Sequence, residues 1–178
     1  MNSINATQAA IIIALKAIPG ISVEAYAGQF SAMDLPQVRI VAPSILVDFA
    51  AGDVSTDTGT GEIDIACQFG AYCIARLAND LHNRNQSAHA LAQSAALLVA
   101  NNRWGLTKVH IPTGIKIKPI NAALFIKNAL GVVAVSWTQT VRIGTSVWDG
   151  GTLPTEVWLG LSPEIGIPFV DKYQQVAP

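Results

Sequence analysis

The chain has 178 residues, of which 51% are hydrophobic and only 13% are charged, and its formal net charge is −1. A charged fraction below the roughly 25% of ordinary globular chains favours extensive burial, either in a large core or against other subunits. The near-neutral charge argues against a nucleic-acid or membrane-surface binder, and the apolar runs fall short of the roughly 20 residues of a membrane span.

The first predicted element is a helix over residues 5–18, with Asn5 as its cap and Gln8 in a capping-box position. Its apolar stripe consists of Ile11, Leu15 and Ile18. The start of the chain lacks the basic region of a signal peptide, so we expect a cytoplasmic protein. Its two cysteines are then more typical of buried thiols than of a disulfide bridge.

The next segment predicts a short strand at residues 21–26, followed by β-like stretches at residues 38–41 and 45–49. A turn rich in Gly, Ser, Thr and Asp at residues 51–61 precedes a long strand at residues 63–75, in which Gly70 is interpreted as a bulge. The two strands form a hairpin with a long tip that includes Asp53 and Asp57. With little apolar surface to hold it, we expect this tip to be mobile and to become ordered against a partner.

A second helix is predicted within residues 79–103, and its strongest part covers residues 87–101, with Ser87 as a plausible cap. Its stripe consists of Ala88, Leu91, Ala95, Leu98 and Val99. Residues 115–118 alternate as in a strand, and a turn at residues 128–131 leads into residues 132–143, the clearest period-2 segment of the chain. Hairpin connections favour an α+β fold, in which an antiparallel sheet carries both helices on one face.

The sequence predicts a core domain over residues 1–145 and an irregular C-terminal arm over residues 146–178. The arm contains Trp148, Trp158, Phe169 and Tyr173 but no sustained helical or strand period. So much aromatic surface needs something to pack against, which is either the arm's own domain or a neighbouring subunit. We therefore take these four aromatics, together with Asp53 and Asp57, as candidate interface residues.

No catalytic centre, cofactor site or metal site is predicted. The spacing of Cys67 and Cys73 exceeds that of the paired ligands in zinc fingers. The segment around Ser146 begins like a nucleophile elbow, but it lacks the final glycine and no helix is predicted to follow it. We therefore expect a structural or interaction protein rather than an enzyme.

Several segments resemble a family of phage tail proteins, the Mu-like prophage tail proteins associated with tail termination. The similarity covers most of the chain and rests on residues 17–20 (Ala-Ile-Pro-Gly), 23–26, 43–49, 135–143 and 163–166 (Pro-Glu-Ile-Gly), on Tyr173, and on the alanine-rich helix ending near Trp104. None of these segments is a catalytic fingerprint. The Pro-Glu-Ile-Gly element is the most distinctive of them.

The resemblance implies a virion structural protein that forms a ring, expected to be hexameric, at the end of the tail tube, without a cofactor. Its expected partners are further copies of itself and the tail tube protein, with sheath and neck or head-completion proteins as additional contacts, but neither specific nucleic acid nor membrane. The expected location is the virion tail, after assembly in the host cytoplasm. The alternative is a small intracellular enzyme or ligand-binding domain with its pocket between the sheet and the alanine-rich helix.

Overall fold

The structure is a computed structural model, and it describes residues 3–26, 42–76, 81–149 and 157–177. The chain divides into two compact units, Met1–Ser146 and Val147–Pro178. The elements of the first unit are α1 (Ile4–Leu15), β1 (Ser22–Ala25), β2 (Ser44–Asp57), β3 (Glu62–Arg76), α2 (Leu81–Val99), β4 (Thr113–Pro119), α3 (Ala123–Lys127) and β5 (Leu130–Gly144). Those of the second are β6 (Val157–Leu159), a 3-10 helix (Ile167–Lys172) and β7 (Gln174–Ala177).

The first unit contains a five-stranded sheet in the order β1-β2-β3-β5-β4. The β2–β3, β3–β5 and β4–β5 pairs are antiparallel, as predicted, but β1 runs parallel to β2. The α+β class is confirmed, while the sheet is mixed rather than wholly antiparallel. The sequence between β1 and β2 shows no tight turn that would have joined them as a hairpin, and parallel pairing requires such a longer connection. The predicted strand at residues 38–41 lies outside the described residues.

Helix α1 begins one residue before the predicted start because Ser3, not Asn5, is its cap. The Ser3 hydroxyl accepts a hydrogen bond from the Ala6 amide at 3.1 Å, which satisfies one of the free N–H groups of the first turn. Gln8 does not complete a capping box; its amide donates to the Val47 carbonyl at 2.9 Å and so joins α1 to β2. Ile11 and Leu15 of the predicted stripe are fully buried in the core, whereas Ile18 lies beyond the end of the helix and is only partly buried.

Helix α2 packs on the same face of the sheet as α1 and begins before the predicted strongest part, so Ser87 lies inside the helix rather than at its cap. The residues of α2 that are fully buried in the core are Ala88, Ala92, Ala95 and Val99. Leu91 and Leu98 are only partly buried at its margin. Small side chains therefore bring this helix close to β3 and β5. Within the described residues, no helix has the length and apolar character needed to cross a membrane.

The core on this face contains a satisfied polar group, Gln139. Its side-chain oxygen accepts from the indole nitrogens of Trp104 at 2.8 Å and Trp137 at 3.3 Å. Its amide nitrogen donates to the carbonyls of Asn102 at 3.0 Å and His110 at 2.7 Å. Because every strong hydrogen-bonding atom of the side chain has a partner, burying it does not incur an unsatisfied-group penalty.

The opposite face of the sheet is covered at one end by α3, which the sequence did not predict. Phe125 of this short helix is buried against Leu46, Ile74, Leu130 and Val132 in a second apolar cluster. Helix α3 lies between β4 and β5, so these strands are joined by more than the turn predicted at residues 128–131. The remainder of this face is hereafter called the open face.

The hairpin formed by β2 and β3 is longer than predicted. Most of the segment expected to be a mobile tip is strand, because β2 pairs with β3 as far as Asp57 opposite Ile63. Register shifts around Ala50 and Ser55 interrupt the regular alternation that would have revealed this strand. The connecting turn is closed by the Thr58 amide and hydroxyl, which both donate to the Glu62 carbonyl, at 3.3 and 2.7 Å.

Candidate interaction surfaces

The described part of the second unit is built from short elements. Its strands β6 and β7 form an antiparallel pair, and the 3-10 helix precedes β7. Among the described side chains at positions 158–176, none is buried. Its exposed large apolar residues in the same part of the chain are Trp158, Leu159, Leu161, Ile165, Ile167, Val170 and Val176. The apolar side chains described at positions 158–176 are therefore at the surface rather than in a core.

The four aromatic residues predicted as interface anchors divide into two pairs. Trp148 is 79% exposed and Trp158 is 51% exposed, so both present large apolar surfaces. Phe169 and Tyr173 are half-buried and hold the unit together. The Tyr173 hydroxyl accepts a hydrogen bond from the Gly166 amide at 2.7 Å, and the Lys172 ammonium lies 5.6 Å from the centre of the Phe169 ring.

Gly160 explains why Tyr173 can lie flat against the chain. A Cβ atom at this position would approach the Tyr173 ring to 2.5 Å, closer than any contact between non-bonded carbons. Lys172 also forms an ion pair with Glu164, the glutamate of the Pro-Glu-Ile-Gly element. This element is therefore part of the second unit's internal framework, and Ile165 within it remains exposed.

Asp53 and Asp57 are both exposed, but they lie on opposite faces of the β2–β3 hairpin. Asp53 is opposite Ala66, which is on the open face. Asp57 is opposite Ile63, which is on the face that packs against α1 and α2. The Asp57 carboxylate also accepts from the Gly59 amide at 2.9 Å and so shapes the turn. A single flat partner surface cannot contact both side chains, although each remains accessible.

The open face carries a polar trough that sequence reasoning missed. Its floor is one cross-strand row, in which Asp48 of β2 is opposite Gly70 of β3, Gly70 is opposite Ser136 of β5, and Ser136 is opposite Lys116 of β4. The trough has a volume of about 310 Å³ and is flanked by Gln68, Tyr72 and Thr138. The Asp48 carboxylate lies over Gly70, so Ser136 is the residue of this row that separates it from Lys116.

Asp48 is 1% exposed, and neither carboxylate oxygen has a hydrogen-bond partner of normal geometry among the described residues. Burial raises the pKa of Asp48 to about 6, although the nearby Gly70 amide and Tyr72 hydroxyl oppose this rise. A Cβ atom at position 70 would lie 2.1 Å from an Asp48 oxygen. Gly70 is therefore not a bulge; it leaves the space in which the Asp48 carboxylate lies. The only signal for this site in the sequence was an aspartate within an apolar strand.

A second ionic feature of the open face lies further along the sheet. Arg142 donates to both oxygens of Asp64, at 2.7 and 2.9 Å, across the β3–β5 pair. The guanidinium lowers the pKa of Asp64 and thereby favours its charged form. Unlike Asp48, this carboxylate is already neutralised within its own chain.

The two cysteines lie in the helix-side core, where burial raises the pKa of Cys67 to about 11 and that of Cys73 to about 12. Such thiols behave as small apolar side chains. Within the ranges that the structure describes, no three histidine, cysteine, aspartate or glutamate side chains lie together as metal ligands would.

No protein-family model matches the chain, and no curated protein matches it. Among solved structures, the chain is similar to a chain in the virion of a native gene transfer agent particle, with 14% sequence identity and a TM-score of 0.48. That match covers 80% of this chain and 100% of the other.

Proposed function

We propose that this protein is a structural component of a phage-like particle and forms a homo-oligomeric ring that terminates or connects the tail. The observation that carries the proposal is the second unit, which displays its apolar side chains instead of enclosing them. A segment of this kind gains too little from its own contacts to offset the entropy of ordering, so it needs a surface to cover it. The resemblance of the sequence to tail-termination proteins indicates what kind of assembly provides that surface.

The partner that we infer for the second unit is another copy of the same chain. The chain has few charged residues, and Trp148 and Trp158 supply the large rigid contact areas that are typical of interface anchors. A ring built from identical copies covers the same patch on every subunit at once. Tail tube, sheath and neck or head-completion proteins would then contact the completed ring in the virion tail, and no catalytic step or cofactor is required.

The alternative function, a ligand-binding domain or enzyme, placed a pocket between the sheet and the alanine-rich helix. That space is occupied by core side chains, because Ala92, Ala95 and Val99 of α2 are fully buried against the sheet. The trough lies on the other face of the sheet and is lined mainly by polar groups. This packing favours the assembly proposal over a ligand pocket between the sheet and α2.

Substitution of Trp158 by alanine tests the proposal. If Trp158 anchors the contact between copies, Trp158→Ala weakens association by about 2 kcal/mol or more, which is roughly 30-fold in the association constant. Sedimentation velocity of the full chain over a range of concentrations measures this change, and thermal melts of the same samples monitor the fold of the first unit.

The matched control is Leu97→Ala, which removes an apolar side chain that is 77% exposed on α2 of the first unit. We expect this variant to assemble normally. A wild-type chain that remains monomeric at high concentration contradicts the proposal. The proposal is also contradicted if Trp158→Ala has a lower melting temperature than the wild type yet assembles normally when folded. The tryptophan would then stabilise only the chain to which it belongs.

A further inference from the structure

The outer half of β2, residues 50–57, forms one edge of the five-stranded sheet. Among the described residues, β1 pairs only with Ser44–Val47 and ends before this half begins, and every residue of this half is exposed. Because the Thr58 amide donates to the Glu62 carbonyl, the alternation of antiparallel pairing directs the main-chain groups of Val54 away from β3. Outward N–H and C=O groups of this kind form a template for a further strand.

The opposite edge of the sheet is β4, which pairs with β5 on one side. The Ile120 amide donates to the Val132 carbonyl just beyond the end of β4. The same alternation therefore directs the main-chain groups of Ile117 away from β5. Apart from the half-buried Ile115, the residues of β4 are exposed, so this edge is also a template for pairing.

The two edges carry opposite charges. The outer half of β2 contains Asp53 and Asp57 but no basic residue, whereas β4 contains Lys116 and Lys118 but no acidic residue. Two acidic edges or two basic edges repel each other, whereas an acidic edge and a basic edge attract. Each copy of the chain has one edge of each kind, so a second copy supplies the complementary partner for both.

We propose that β4 of one copy pairs with the outer half of β2 of the next copy, with Ile117 opposite Val54 and Lys118 opposite Asp53. The proposal rests on the ring proposed above and specifies one of its contacts. Strands β2 and β4 run in opposite directions within one sheet, so continuing the sheet into the next copy makes the pair antiparallel. Because the contact joins two different edges, it is the head-to-tail contact that a ring requires.

A single register matches side chains on both faces of the joined sheet. Val54 and Ile117 are 64% and 48% exposed, and both lie on the face that packs against the helices further along the sheet. Pairing them covers two exposed β-branched side chains and, one position along, aligns Asp53 with Lys118 on the open face. A strand that adds at the edge therefore makes favourable contacts on both faces, which a partner lying flat on one face does not.

Charge reversal in the full chain tests the pairing. Asp53→Lys and Lys118→Asp each replace an attractive pair with a repulsive one, so each should weaken association by about 3- to 10-fold per contact in sedimentation velocity. Combining the two reversals recreates an attractive pair at every contact and should return association to within about 2-fold of the wild type. Lys127→Asp reverses an exposed lysine outside β4 and should leave association unchanged.

Cysteine cross-linking tests the register. Positions 53 and 118 form a non-hydrogen-bonded pair in this register, with Cα atoms about 4.5 Å apart, within the range of a disulfide. Within one chain, β3 and β5 separate the two positions by at least about 14 Å, so a bridge can only join two copies. Oxidised Asp53→Cys/Lys118→Cys should therefore give a ladder of covalent oligomers, and a mixture of the two single variants should give covalent dimers only. Asp53→Cys/Lys127→Cys is the matched control and should not cross-link, since the native cysteines are buried.

The outcomes separate this edge contact from the ring itself. Wild-type oligomers that are unaffected by either charge reversal, or that do not cross-link through positions 53 and 118, overturn the edge contact and leave the ring proposal intact. A combined reversal that assembles no better than the single reversals also overturns the edge contact. A wild-type chain that stays monomeric at high concentration overturns both proposals.

Discussion

The buried Asp48 carboxylate makes a specific prediction about stability, because replacing it with asparagine keeps the shape of the side chain and removes the charge. Raising the pKa from 3.8 to about 6 corresponds to roughly 3 kcal/mol against the charged form, at about 1.4 kcal/mol per pH unit. Since water in the trough screens part of this cost, we expect Asp48→Asn to stabilise the protein by about 1–3 kcal/mol near pH 8.

The gain should depend on pH in a defined direction. Because the folded-state pKa of Asp48 lies above the unfolded value, folding takes up a proton between about pH 4 and pH 6, and stability falls as the pH rises through this window. Near pH 4 the carboxyl is almost neutral in the folded state and about half ionised in the unfolded state, so the advantage of Asp48→Asn shrinks to about 0.5 kcal/mol.

Urea denaturation of the wild type and the variant at both pH values measures these differences. The control is Asp53→Asn at an exposed position, which should change stability by less than about 0.5 kcal/mol. The reasoning is refuted if Asp48→Asn destabilises the protein near pH 8, or if its effect is the same near pH 4.

Two further substitutions test the packing around the sheet. Gln139→Leu leaves two indole N–H groups and two carbonyls without their partner and should cost at least about 2 kcal/mol in urea denaturation, whereas the same change at exposed Gln68 should cost less than about 0.5 kcal/mol. Gly70→Ala forces the Asp48 carboxylate to move and should cost about 1–3 kcal/mol. In an Asp48→Ala background that cost should largely disappear, and additive effects would show that the two residues do not compete for space.

The sequence predicted the elements that have one apolar face. Helix α1, the long strand β5 and the buried Ala88, Ala95 and Val99 of α2 follow from helical or period-2 spacing, because one side of each element faces the core. The buried Ala92 was not part of the predicted stripe. The outer half of β2 could not be predicted in the same way. Neither of its faces packs on a core, and its two register shifts disrupt the alternation, so its composition is that of a loop.

The candidate surfaces were predicted in part. Trp148 and Trp158 are exposed, and their assignment as interface residues stays a prediction. That Phe169 and Tyr173 are half-buried depends on contacts such as the one with Gly160, which only the folded chain brings together. The trough was missed because its four floor residues come from four different strands, and their alignment depends on the register of the whole sheet.

The distribution of tryptophan gives the protein two separate optical signals. Its four tryptophans divide evenly, with Trp104 and Trp137 buried in the first unit and Trp148 and Trp158 exposed in the second. The indoles of the buried pair lie 6.4 Å apart and share the Gln139 side chain, whereas the other pair is accessible to collisional quenchers in solution. Intrinsic fluorescence therefore distinguishes unfolding of the sheet domain from covering of the second unit without any added label.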